Sequence, residues 1–142
     1  MAANTAPIYT LVPDVQWAES ITAANTTIDI TSGTSYLVWT ANATEGGFLR
    51  EIRIKANPSA NTAATVARIW INNGSTTGTA ANSALFAEAG IPAITASNSQ
   101  PQPDTVIPVN MGVPPGYRFY LTLGTAPGGS GEFTAVGIGG RY

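Results

Sequence analysis

With neither histidine nor cysteine in 142 residues, this chain must draw any chemistry from carboxylates, hydroxyls, amines and guanidiniums. Histidine is the commonest general base and metal ligand near neutral pH, so its absence removes Ser-His pairing. Cys-His pairing goes too, along with thiolate and imidazole zinc sites. A carboxylate pair of the kind that hydrolyses glycosides is what remains. The eight acids (Asp14, Glu19, Asp29, Glu45, Glu51, Glu88, Asp104 and Glu132) stand singly along the chain. No local spacing sets two of them on one strand face, so only a pair assembled across the fold would serve. Glu51 alternates with Arg53 and Lys55, a period-two pattern that reads as charge pairing on a strand surface.

Two further motifs invite chemistry and fail on context. Gly128-Gly129-Ser130-Gly131 resembles a phosphate-cradling loop, but such a loop must open a helix whose N–H groups converge on the anion. The residues that follow, Glu132-Phe133-Thr134-Ala135-Val136, have strand character, so a hairpin turn is expected. No EF-hand pattern offers calcium its oxygen ligands. Trp17, Trp39 and Trp70 could stack sugar rings. Because Trp39 and Trp70 lie inside well-formed strand patterns, packing within or between sheets is the expectation for them. The chain therefore reads as a non-enzyme with no catalytic residues, no metal and no cofactor.

Positioning these side chains falls to short β-strands. Between frequent Gly and Pro residues, strand-like runs are read at 9–12, 15–20, 26–30, 36–40, 47–56, 65–72, 85–91, 105–110, 117–124 and 133–138. In the 47–56 run, alternation groups Phe48, Arg50, Ile52 and Ile54 on one face and Leu49, Glu51, Arg53 and Lys55 on the other. In 65–72 it separates Val66, Arg68 and Trp70 from Ala67, Ile69 and Ile71. In 117–124 it makes a core face of Tyr117, Phe119, Leu121 and Leu123. The best helical stretch, 79–88, is interrupted by Asn82 and small residues. Ten short strands without a helix predict an all-β fold: a single-domain antiparallel β-sandwich of jelly-roll or Greek-key type. Residues 1–7 read as a flexible N-terminal arm and 8–142 as the sandwich.

Composition limits the partners. Charged residues make up 10% of the chain and the net charge is −2, so there is no basic footprint for nucleic acid. No polybasic or amphipathic stretch suits a membrane surface, no apolar run reaches the length that spans a bilayer, and the N-terminal residues lack the pattern of a signal peptide. A 44% hydrophobic content with regular strand patterns argues for a folded domain, and so few charges leave its faces open to association.

Three stretches carry a family resemblance: GGFLREIRIKA (46–56), TVARIWINNGSTTGTAANSALFAEAGIPA (65–93) and VIPVNMGVPPGYRFYLTLGTA (106–126), with a closing GGRY at 139–142. A strand ending in an R-I-x-(Ile/Leu)-N-N-G turn, and a PxGYR strand leading to a Gly-Thr turn, make the chain similar to small virion structural proteins of tailed bacteriophages and prophages. The match runs from Gly46 onward, about two thirds of the chain. The resemblance implies a capsid decoration (cement) protein that binds and stabilises the outer head lattice of the major capsid protein. It would sit on the capsid exterior after folding in the host cytoplasm. The alternative it leaves is a host-surface or carbohydrate-binding module on a tail or head fibre, with glycan as partner. A trimer would match the local threefold points of such a lattice. On this reading the lattice-binding surface comprises Glu51, Arg53 and Lys55 with the arm, together with Tyr9 and Tyr142, while Arg118 meets water or a sister subunit.

Overall fold

The structure, a computed structural model, describes residues 10–142. The expected arm and Tyr9 lie outside the described residues. Eight strands follow in order: β1 (Val12–Ile21), β2 (Tyr36–Thr40), β3 (Gly47–Ala56), β4 (Thr65–Asn72), β5 (Ser83–Ile91), β6 (Thr105–Val113), β7 (Arg118–Leu123) and β8 (Phe133–Arg141). They form two four-stranded sheets with orders β1-β8-β3-β6 and β2-β7-β4-β5, and every pairing is antiparallel. Apart from the β4–β5 hairpin, each connection crosses from one sheet to the other. This is the double Greek key of a jelly roll. The all-β sandwich expected from the sequence is what the chain forms.

The turn at 128–131 is no hairpin, because it lies in a crossover from β7 to β8 of the other sheet, and three strand expectations are corrected as well. The runs at 9–12 and 15–20 are not two strands: among the described residues one strand, β1, continues through Pro13. Proline is tolerated there because β1 is an edge strand, with β8 as its sheet neighbour. The 26–30 run is no strand; it belongs to a loop organised by Asn25. That side chain is 1% exposed. Its Nδ2 donates to the carbonyls of Asp29, Ser32 and Thr34, and its Oδ1 accepts from the Thr27 backbone N–H and hydroxyl. The third correction concerns β3. An extra residue at Arg50, where the register against β8 shifts between Leu49 and Glu51, turns the alternation over. Leu49 therefore joins Ile52 and Ile54 in the core, while Phe48 points outward. The 79–88 stretch holds only a 3-10 turn, Ala80–Asn82.

The core lies between the inner faces. The first sheet supplies Ile21, Leu49, Ile52, Ile54, Ile107 and Phe133; the second supplies Trp39, Ala67, Ile69, Phe119, Leu121 and Leu123. At its centre, fully buried Trp39 packs on Phe119 at 6.4 Å between ring centroids. Two glycines of the opposite sheet make room for the indole. A Cβ on Gly137 would come within 2.9 Å of the Trp39 Cβ, and one on Gly47 within 3.0 Å of the ring.

At the β1/β2 corner the sheets are joined by a side chain. Gln16 of β1 donates from Nε2 to the Thr40 carbonyl (2.8 Å) and accepts from the Thr40 N–H (2.9 Å). The carboxamide thus completes the outer edge of short β2 as a neighbouring strand would. Replacing Gln16 by Ala leaves both Thr40 backbone groups without these partners, and chemical denaturation should register a loss of about 1–3 kcal/mol.

Acid should act on the 25–34 loop. Asp29 is held below the usual carboxylate range, chiefly by the Thr31 hydroxyl and then by the Ser32 backbone N–H. A carboxyl whose folded pKa is depressed contributes stability above its unfolded pKa and loses it as pH falls through the folded value. Amide exchange should therefore show protection at Thr31 and Ser32 falling below the ordinary carboxylate range, while the β3 and β8 amides keep theirs.

Candidate functional site

All four edge strands of the sandwich are blunted. An extra residue interrupts the ladder at Ser20 in β1, Val38 in β2, Phe86 in β5 and around Asn110 in β6. Ser20 and Asn110 take positive φ values of 55° and 48°, and β1 and β6 also carry Pro13 and Pro108. Bulges and prolines of this kind stop another strand from adding to an edge. Strand addition is thereby disfavoured, and the outer faces of the sheets are the broad surfaces left to a partner.

The outer face of the first sheet is mostly apolar. Registers across β1, β8, β3 and β6 define three rows: Pro13–Gly140–Phe48–Gly112, Val15–Ile138–Glu51–Pro108 and Trp17–Val136–Arg53–Val106. Leu11, two residues before Pro13, extends the ridge along β1. Leu11 is 69% exposed, Val15 49%, Trp17 60% and Val106 41%. Exposed apolar side chains grouped along β1 in this way make this face the candidate contact surface.

The charges on this face are paired among themselves. Glu51 Oε1 accepts from Arg53 Nε at 3.1 Å and from Arg50 Nη2 at 3.0 Å, and Lys55 Nζ meets Asp104 Oδ1 at 3.0 Å. Arg53, Lys55, Asn57, Asp104, Thr134 and Val136 line a groove of about 430 Å³ beside these pairs. At its end Asn57 Nδ2 donates to Glu132 Oε1.

The structure thus brings Glu51, Arg53 and Lys55 together, as the alternation required, and flanks Glu51 and Arg53 with Ile138 and Val136 of β8 on one side and Pro108 and Val106 of β6 on the other. Tyr142 reaches the same sheet: its hydroxyl oxygen lies 3.2 Å from where a Cβ on Gly112 would stand. Arg118 does not join them; it opens β7 in the opposite sheet. The sequence reading missed the β1 ridge because it divided that strand at Pro13. The signal was present in the apolar alternation Leu11-x-Pro13-x-Val15-x-Trp17.

The outer face of the second sheet carries one aromatic and aliphatic row, Leu37–Tyr120–Trp70–Leu85, that crosses all four strands. Rows Thr40–Arg118–Asn72–Ser83 and Thr122–Arg68–Glu88 flank it. Trp70 Nε1 donates to Thr122 Oγ1 at 3.0 Å, and Arg68 Nε pairs with Glu88 at 2.7 Å. The three tryptophans therefore divide: Trp39 is core, Trp17 is exposed on one face, and Trp70 is half-buried on the other. Among the described residues, no group of three or more Asp or Glu side chains is close enough to hold a metal ion. No helix among them is long and apolar enough to cross a membrane.

No protein-family model and no curated protein matches the chain. Among solved structures it is similar to dimeric latent PorU from Porphyromonas gingivalis, at a TM-score of 0.38 and 8% identity. That alignment covers 99% of this chain and 14% of the other.

Because Trp17 is 60% exposed and stands outside the core, Trp17→Ser should leave thermal stability within about 0.5 kcal/mol of the parent. The same substitution should lower binding of a hydrophobic dye. Arg53→Ala should cost less than about 1 kcal/mol, because the Glu51 pair is solvent-screened. Paired melting and dye titrations read both.

Proposed function

We propose that this chain is a non-enzymatic structural protein of a tailed-bacteriophage virion, decorating the outer head lattice of the major capsid protein. The observation that carries this reading is the apolar outer face of the β1-β8-β3-β6 sheet, uncovered among the described residues and centred on an internally paired Glu51–Arg53. Four strands spaced about 4.8 Å apart and some ten residues long present roughly 19 by 33 Å. That is on the scale of the roughly 800 Å² per partner in a standard protein interface. With every sheet edge blunted, the domain attaches as a rigid tile and does not polymerise by strand addition. The phage resemblance of residues 46–142 supplies the partner. In this reading Glu51, Arg53, Lys55 and Tyr142 belong to the docking surface with Tyr9. Arg118, on the far sheet, faces outward or meets a sister subunit in a trimer.

The carbohydrate-binding alternative draws on a separate observation, the exposure of Trp17 and the partial exposure of Trp70. The two readings part in one experiment. Purified protein is added to undecorated heads of the encoding phage, and the temperature at which the heads burst is followed. Decoration predicts saturable binding and a higher bursting temperature, both lost with Val15→Asp and Trp17→Asp together. Absence of binding to heads, with binding to tails or host envelopes instead, overturns the decoration reading.

A further inference from the structure

The Leu37–Tyr120–Trp70–Leu85 row lies on the sheet opposite the proposed lattice surface, and its chemistry differs. The first sheet's face is apolar around a closed charge cluster. Here two aromatic side chains sit side by side between polar rows, about 7 Å away on either side along the strands. Thr122 faces outward, yet it is only 2% exposed. The Trp70 indole donates to that hydroxyl at 3.0 Å, which ties the ring to the neighbouring strand, while Trp70 itself stays half-exposed. The Trp70 N–H is already satisfied, so a ligand is needed for the ring face and not for its edge.

The charges on the two flanks are unequal. Arg68 and Glu88 form a close pair on one side. On the other, Arg118 has no ion-pair partner among the described residues, and Thr40, Asn72 and Ser83 share its row. A half-exposed indole whose N–H is already bonded offers the C–H face of a pyranose a stacking surface. A free guanidinium one row away offers a planar carboxylate two parallel hydrogen bonds. A flat apolar ring together with one uncompensated cation is complementary to an acidic saccharide.

We infer that the outer face of the β2-β7-β4-β5 sheet is a saccharide-binding platform for uronate-containing glycans, with Trp70 and Tyr120 stacking the ring and Arg118 taking the carboxylate. The platform stands whichever surface holds the protein on a particle. On a decorated head it would point away from the lattice, free to engage acidic polysaccharide at a cell envelope.

The test uses two matched probes, the β-1,4-linked mannuronate hexasaccharide and the uncharged β-1,4-mannohexaose. Each is titrated into the full chain while the three indole N–H resonances are followed by NMR. The Trp70 resonance is expected to move with both probes and that of Trp17 with neither. The uronate should bind about tenfold more tightly, the worth of one charge-assisted contact. Arg118→Gln should erase that preference and leave mannohexaose affinity unchanged, while Trp70→Ala should abolish both. No shift of Trp70 with either probe at about 10 mM, where even millimolar affinity would register, overturns the platform. So does a response confined to Trp17. Equal affinity for the two probes, or a preference that survives Arg118→Gln, overturns the assignment to acidic glycans. Protection of the Trp70 face by capsid protein, with neither saccharide bound, makes it a protein interface and overturns the inference as well.

Discussion

The sandwich depends on one steric match: the indole of Trp39 filling a trough that only glycines can leave. Two sheets pack about 10 Å apart when ordinary side chains meet between them. Trp39 is too large for such a layer unless the facing strands recede, and Gly137 and Gly47 are those recessed positions. Its Nε1–H has no acceptor among the described residues, a deficit of about 1–3 kcal/mol. Burying an aromatic of this size is worth about 3–5 kcal/mol, so packing outweighs the unpaired donor. The bulge at Val38 places Val38 and Trp39 both inside. Five-residue β2, with one sheet neighbour, is thereby anchored by bulk, and the Gln16 carboxamide completes its open side.

Fixing β2 in this way fixes the register of β7 beside it, and through β7 that of β4. The outer rows are consequences of that register. Tyr120 stands beside Trp70 because Phe119 and Leu121 are committed to the core. Across the sandwich, Gly137 must face Trp39, so Val136 and Ile138 must face outward. The exposed ridge on β1 is then extended by its neighbour on β8. Inner packing thus decides which side chains the outer faces present, and the bulged edges disfavour strand addition.

Much of this was legible in the residues. Alternation in 117–124 picked out the core face of Phe119, Leu121 and Leu123, and that in 65–72 divided the strand into its two sides without saying which is core. The spacing of Glu51, Arg53 and Lys55 placed them on one outer face. The failures have separate causes. Strict period-two reading cannot see a bulge, so the face of Phe48 and Leu49 was inverted where Arg50 adds a residue. A proline read as a strand boundary divided β1 and hid its apolar ridge. The 26–30 run has strand-like residues, but Asn25 and Asp29 hold its backbone through side-chain hydrogen bonds. A short polar side chain competing for backbone groups outweighs local β preference there. Which charges pair across strands, as Lys55 does with Asp104, depends on a register that local spacing does not contain.

The closed charge cluster on the first sheet has a thermodynamic consequence. Glu51 already holds two guanidiniums, and Lys55 already has its carboxylate. Contact with that face exchanges few ions with the solvent and chiefly removes apolar surface from water. Ionic strength then has little leverage on attachment, because neutralised charges have little field to screen. Temperature has much more, since association through apolar area lowers the heat capacity and its driving force fades on cooling. A domain held by this face would grip most firmly in the warm and work loose in the cold, at any salt.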